Sequence, residues 1–161
     1  MTTHFKILGD NDRKELLKKL NEQFGITKVN GTLLTLGQDK VRLLTADISP
    51  DNLDLLGSIV HIEISGFYLL KIEKDGIRLS HDAVNILRGQ ITKNIINIDP
   101  EQELEWLKGH DVLLNKEQEA GYNNIKGFIV LKSDNELIGC GKLGNDGRIR
   151  NFVPKERRLK G

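Results

Sequence analysis

Residues 126–158 read KGFIVLKSDNELIGCGKLGNDGRIRNFVPKERR, and the fold turns on how this stretch is parsed. Gly127–Leu131, Leu137–Lys142 and Arg148–Val153 are short, largely apolar or alternating runs, the pattern of strands with at least one buried face. Ser133-Asp134-Asn135 and Asn145-Asp146-Gly147 separate them with residues that favour tight turns. Many short strands with little helix between them predict a small barrel-like sheet that closes on itself.

Working outward, Asp99-Pro100-Glu101-Gln102 combines an Asp cap, Pro at the first helical position and Gln three residues after the cap. It opens a helix that ends at Lys108-Gly109. Val112–Leu114 and Asn94–Ile98 read as further strands, and Ser80 or Asp82 caps a short helix through Arg88 that Gly89 breaks.

Before Leu79 the pattern differs. Phe5–Leu8 is a strand, and Asp10 or Asp12 caps a helix to Phe24 that carries Leu16, Leu17, Leu20 and Phe24 at helical spacing and stops at Gly25. Gly31–Leu36 and Lys40–Leu44 form a hairpin around Gly37-Gln38-Asp39. Ser49-Pro50-Asp51 starts a short helix that Gly57 closes. Ser58–Ile64 then alternates, with Val60, Ile62 and Ile64 on one face of a strand. Phe67–Lys74 and Ile77–Leu79 pair through Asp75-Gly76. The expected class is α+β, with a small α/β domain over 1–79 and a β-barrel over 80–161. No Pro/Ser linker separates them, so the halves are expected to pack together.

Composition narrows the function. One cysteine excludes an internal disulfide and points to a reducing cytoplasm. No apolar run approaches a membrane span, so no membrane partner is expected, and no secretory signal is read at Met1-Thr2-Thr3. Gly139-Cys140-Gly141-Lys142 is not a phosphate loop, because Glu136 and Leu143 stand where a glycine and a hydroxyl are required. Its glycines instead allow a bend or a close approach. Cys140 has no nucleophile signature and is expected to be structural. His4, His61, His81 and His110 lack metal-ligand spacing. Asp99, Glu101, Glu103, Glu105 and Asp111 suit helix-dipole and surface roles better than catalysis.

Charge is unevenly spread. Lys142, Arg148, Arg150, Lys155, Arg157, Arg158 and Lys160 face only Asp146 and Glu156, so residues 142–161 carry +5 and the rest −4 of the total +1. Arg148-Ile149-Arg150 places two guanidinium groups on one strand face. Asn151 and Phe152 add an amide and a stacking surface, and arginine suits phosphate oxygens and base edges. On the residues alone the run reads equally as an ordinary charged tail or as a nucleic-acid face; for the second reading the candidate RNA-binding residues are Lys142, Arg148, Arg150, Asn151, Lys155, Arg157 and Arg158, with Arg88 and Lys93 near the short helix as weaker ones.

The ordered series Lys126-Gly127-Phe128-Ile129-Val130, Leu137-Ile138-Gly139-Cys140-Gly141-Lys142 and Asn151-Phe152-Val153-Pro154-Lys155-Glu156-Arg157-Arg158 resembles the PUA-like domain at the C-terminus of Sun/Fmu-type RNA (cytosine-5) methyltransferases. That family's pattern runs Leu-x-Gly-x-Gly-Lys and then Asn-x-x-Pro-Lys-x-x-Arg. Trp106-Leu107-Lys108-Gly109 resembles the segment before it. Residues 1–79 resemble, more weakly, the pre-PUA domain of ribosome-assembly proteins. The sequence departs from the methyltransferases in having no Gly-rich cofactor loop, no Pro-Cys and too few residues for their S-adenosylmethionine domain.

The resemblance thus implies a free-standing archaeal ribosome-biogenesis protein, non-enzymatic and without cofactor or metal. It would bind rRNA or tRNA beside an RNA methyltransferase or a ribosome-assembly factor. The rival expectation is a protein-interaction subunit that docks such an enzyme through its basic C-terminal face.

Overall fold

Two antiparallel-rich sheets, one from each half of the chain, make up the computed structural model, which describes residues 5–62 and 66–161. The first contains β1 (Phe5–Ile7), β2 (Thr32–Leu36), β3 (Lys40–Leu44), β4 (Phe67–Glu73) and β5 (Gly76–Leu79), paired antiparallel in chain order. Helix α1 (Asp10–Phe24) joins β1 to β2 and buries Leu16, Leu20 and Phe24. Gly25 ends it with a φ of 83°, as the sequence predicts. Neither Asp10 nor Asp12 caps it. Gly9 holds the N-cap, and the two acids lie in the first turn, where the helix dipole favours them.

The strand expected over Ser58–Ile64 is corrected. Helix α2 (Pro50–Ile59), capped by the Ser49 hydroxyl, runs past Gly57 and ends at Val60, while Ile64 lies outside the described residues. Gly57 marks a contact rather than a stop: a Cβ there would stand 3.4 Å from the Phe5 ring. Among the described residues no helix is long and apolar enough to cross a membrane.

Ser80 caps α3 (His81–Leu87) by accepting from Ala83 N–H at 3.0 Å, which leads into the second sheet. That sheet holds β6 (Ile95–Asn97), β7 (Val112–Leu113), β8 (Gly127–Ser133), β9 (Glu136–Leu143) and β10 (Arg148–Arg150), in the order β6-β8-β9-β10-β7. Helix α4 (Pro100–Leu107) opens on the expected capping box at Asp99. A second box, Asn115 with Gln118, starts α5 (Lys116–Gly121), which the sequence reading missed although Asn-x-x-Gln is its signature.

Barrel closure differs from expectation, because β6 and β7 are edges that do not pair with each other. Two glutamine side chains span the gap instead. Gln102 Nε2 donates to Leu113 O on β7 at 2.9 Å and to Gln118 Oε1 at 2.8 Å. Gln118 Nε2 donates to Asn97 O on β6 at 3.0 Å and back to Gln102 Oε1 at 2.8 Å. Each Oε1 also accepts its own N-cap N–H, from Asp99 and Asn115, at 3.0 Å. Every amide proton of the pair is used.

Two apolar clusters fill the interior. One joins α1, β2–β5 and α3 to Phe128, Val130 and Cys140, so the halves share a core. The other, Ile96, Trp106, Val112, Ile129, Leu131, Ile149 and Val153 among them, lies within the second sheet. The glycines flanking Cys140 make room for Trp106. A Cβ on Gly141 would stand 2.5 Å from Ile149 Cγ2 and 3.0 Å from Trp106 Cη2.

These contacts can be tested by substitution and by labelling. Gln118→Ala removes two of the bridge's four N–H donors, and with them the link to the exposed Asn97 carbonyl. It is expected to cost about 0.5–1.5 kcal/mol in urea unfolding, with the m-value unchanged. Cys140 is buried, and burial pushes its thiol pKa up to about 12. At pH 8 the native thiol should therefore resist iodoacetamide, and labelling should track global unfolding. Rapid labelling of the native chain would contradict this packing.

Candidate nucleic-acid interface

The β9–β10 pairing sets Lys142 opposite Arg150 and Leu143 opposite Ile149. Because side chains alternate along a strand, burying Ile149 in the inner core turns Arg148 and Arg150 outward. Lys142, Arg148 and Arg150 consequently line one shallow depression of about 190 Å³, together with Asp111 and Asp146. This is the strongest grouping among the residues singled out by sequence.

Their partners differ. Lys142 Nζ lies 2.5 Å from Asp75 Oδ2, at the β4–β5 turn of the other sheet, and 5.1 Å from the centre of the Phe128 ring. The hydrogen bond from Lys142 holds the Asp75 carboxyl below its ordinary pKa. Arg148 Nε is 3.8 Å from Asp146 Oδ2. Arg150 makes no ion pair among the described residues.

The other candidates lie apart from this depression or are committed within the fold. Asn151 Nδ2 donates to Trp106 O at 2.8 Å and His110 O at 2.9 Å, and its Oδ1 accepts from Val153 N–H at 2.8 Å. Both amide protons thus cap the end of α4. Arg158 lies across Gly109, where a Cβ would stand 2.3 Å from its Cδ, and its Nε donates to Val153 O at 3.0 Å. Lys155 and Arg157 belong to a single 3-10 turn (Lys155–Arg157). There Arg157 pairs with Asp82 at 2.9 Å, and Lys155 is exposed with no ion pair among the described residues. Arg88 is 3.9 Å from Glu136, and Lys93 Nζ donates to Asn21 O at 2.9 Å.

Three of the acidic residues in and just after α4, Glu103, Glu105 and Asp111, also have partners. Glu103 accepts from the Ser133 hydroxyl at 2.6 Å, and Asp111 accepts from Asn151 N–H at 2.9 Å. Glu105 accepts from His110 and Lys108, which lower its pKa. No group of acidic, His or Cys residues able to hold a metal occurs among the described residues.

Sequence reading missed a second concavity, about 290 Å³, between the two sheets. Its lining includes Tyr68, Arg78, His81, Trp106, Phe152 and Arg157. Phe152 does not offer an open ring: Arg78 Cζ lies 4.4 Å above its centre, and Phe128 packs 6.2 Å away. Burial, and then the Arg157 charge, lower the His81 pKa. Phe152 and Arg157 were singled out by sequence, but nothing local links them to Tyr68, Arg78, His81 or Trp106, which lie far apart along the chain.

Comparison with known proteins places the second sheet. A family model described as the methyltransferase RsmF PUA domain matches residues 93–159. Relatives named ribosomal RNA small subunit methyltransferase F align over more of the chain. That of Photobacterium profundum is 31% identical over 153 residues, 94% of this chain and 29% of the relative. That of Vibrio campbellii is 25% identical over 152 residues, 94% of this chain and 30% of the relative. That of Aliivibrio fischeri is 32% identical over 103 residues, 63% of this chain and 20% of the relative.

The chain therefore spans under a third of the length of these relatives. They are bacterial and lend no support to the archaeal attribution. Residues 93–159, which hold all five strands of the second sheet, are thus similar to the PUA domain of methyltransferase RsmF, in line with the Sun/Fmu-type resemblance read from the sequence.

Proposed function

We propose that this chain binds structured rRNA or tRNA through the Lys142, Arg148 and Arg150 face and has no catalytic activity of its own. Its partner would be an RNA methyltransferase or a ribosome-assembly factor, in the cytoplasm. The observation that carries this reading is the β9–β10 register, which aims three cations out of one rigid surface. Guanidinium and ammonium groups fixed in this way neutralise phosphates and position a protein on RNA shape without reading base sequence. Support comes also from the relatives, which are named for methylating small-subunit ribosomal RNA.

Phosphate neutralisation releases condensed counterions, so each contact adds about 0.7–0.9 to the salt slope of binding. Replacing Lys142, Arg148 and Arg150 together with glutamine should flatten the slope for a structured RNA by about 2–3 units. The fold should persist, since exposed ion pairs contribute only about 0–1 kcal/mol each. Glutamine at Glu101, Glu103 and Glu105 should leave the slope nearly unchanged. Equal slopes for the wild type and the triple cation variant, in filter binding over a range of salt, would favour the protein-docking alternative.

The non-catalytic part of the proposal has its own test. Calorimetric titration with S-adenosylmethionine is expected to show no binding heat, and micromolar binding would overturn it.

A further inference from the structure

The turn joining β9 to β10 has a concavity on each side. One is the depression of Lys142, Arg148 and Arg150. The other is a hollow of about 320 Å³ between this turn and the segment after α5, and Gly144 lines both. Tyr122, Ile125 and Leu143 are partly buried against the core of the second sheet, and the surface they leave exposed gives the hollow an apolar floor.

Its rim is polar and uncommitted. Asn123, Lys126 and Asn145 are exposed lining residues, and none makes a side-chain hydrogen bond or ion pair among the described residues. In this they differ from Asn151, whose amide is spent inside the fold. An asparagine amide offers two donors and an acceptor, whereas a lysine offers donors only. Glu119 adds an exposed carboxylate, held over Gly147, where a Cβ would collide with its Oε1.

These groups define what fits. The volume is near the lower end of ligand pockets, roughly 300 Å³ and upward, and suits a flat group the size of a nucleoside. That group must offer an apolar face to the floor, mixed donors and acceptors to the two amides, an N–H to the carboxylate and negative charge to Lys126. A nucleotide has all four. Position favours it further, because the two concavities adjoin at Gly144. An RNA strand whose phosphates rest on Arg148 and Arg150 rounds this turn to bring a neighbouring nucleotide into the hollow.

We propose that the hollow receives one unpaired base of the bound RNA, its edge held by Asn123 and Asn145 and its phosphate near Lys126. The proposal rests on the RNA-binding reading, and it adds recognition of a base to the phosphate contacts of the β9–β10 face. Unpaired bases are the part of RNA whose edges and faces are accessible to side chains.

The full chain is titrated with two dye-labelled RNAs, a perfect duplex and the same duplex carrying one bulged 2-aminopurine nucleotide. Dye anisotropy follows binding, and 2-aminopurine emission follows the surroundings of the unpaired base. Bulged RNA is expected to bind about tenfold more tightly, as one base with a packed face and a hydrogen-bonded edge would provide, and to change its emission on binding. Asn123→Ala combined with Asn145→Ala should erase both effects while duplex affinity holds. Both positions are exposed and neither has a positive φ, so the double variant is expected to melt with the wild type. Glutamine at Lys142, Arg148 and Arg150 should instead weaken both RNAs and keep their ratio.

Equal affinities of the wild type for the two RNAs would overturn the base site and leave RNA binding standing. So would a bulge preference with silent emission, or one that survives in the double alanine variant. Binding of neither RNA would sink both readings.

Discussion

Phe128, Ile129, Val130 and Leu131, in strand β8, are each no more than 1% exposed. Burial of a strand on both faces is the constraint from which the rest of this structure follows. Phe128 and Val130 enter the core shared with the N-terminal sheet, and Ile129 and Leu131 enter the core of the second sheet. Four such side chains contribute about 6–12 kcal/mol of transfer free energy, an upper figure because the unfolded chain is not fully extended. A one-residue slip would exchange the two sets and put Phe128 where Trp106 packs, so the register is held from both sides. No cut between the halves leaves both faces of β8 covered.

That register carries outward into the charges. Pairing β8 with β9 puts Phe128 opposite Lys142, and pairing β9 with β10 puts Lys142 opposite Arg150. The hydrophobic alternation that sends Ile149 inward therefore sets the spacing of the cations as firmly as it sets the core. The same strand pair brings Gly139 and Gly141 beneath Trp106, where no side chain fits. One apolar constraint thus places both the basic face and the buried Trp106 ring.

What the sequence could disclose was local. The apolar strand runs of the second half, the Asp99 capping box and the turn residues between β8, β9 and β10 act within a few positions and appear where the pattern predicts them, whereas the alternation over Ser58–Ile64 does not become a strand. The end of α2 was hidden because the reason for Gly57 is the Phe5 ring, which is far away in sequence. Asn151 and Arg158 looked like RNA ligands for a similar reason. Residue type reveals hydrogen-bonding capacity, but not that Trp106 O, 45 residues away, has already taken it. Arg148 and Arg150 were legible as a shared face because two residues on one strand fix their own geometry. Closure by two glutamines was invisible, since neither capping box alone indicates that its amide reaches the other.

The N-terminal sheet also shapes the electrostatics of the domain beside it. Asp75, at the β4–β5 turn, neutralises Lys142, and Asp82, in α3, neutralises Arg157. Part of the +5 read from the sequence is therefore answered within the chain. These pairs stay exposed, and exposed pairs contribute only about 0–1 kcal/mol. A phosphate with comparable access displaces a carboxylate at little cost, so the acids hold the side chains in place without removing them from use. Pairing of this kind keeps long, flexible cations ordered at the surface in the absence of a ligand. Through the Asp75 carboxylate and the shared core, the N-terminal sheet takes part in how the basic surface of the second sheet is presented.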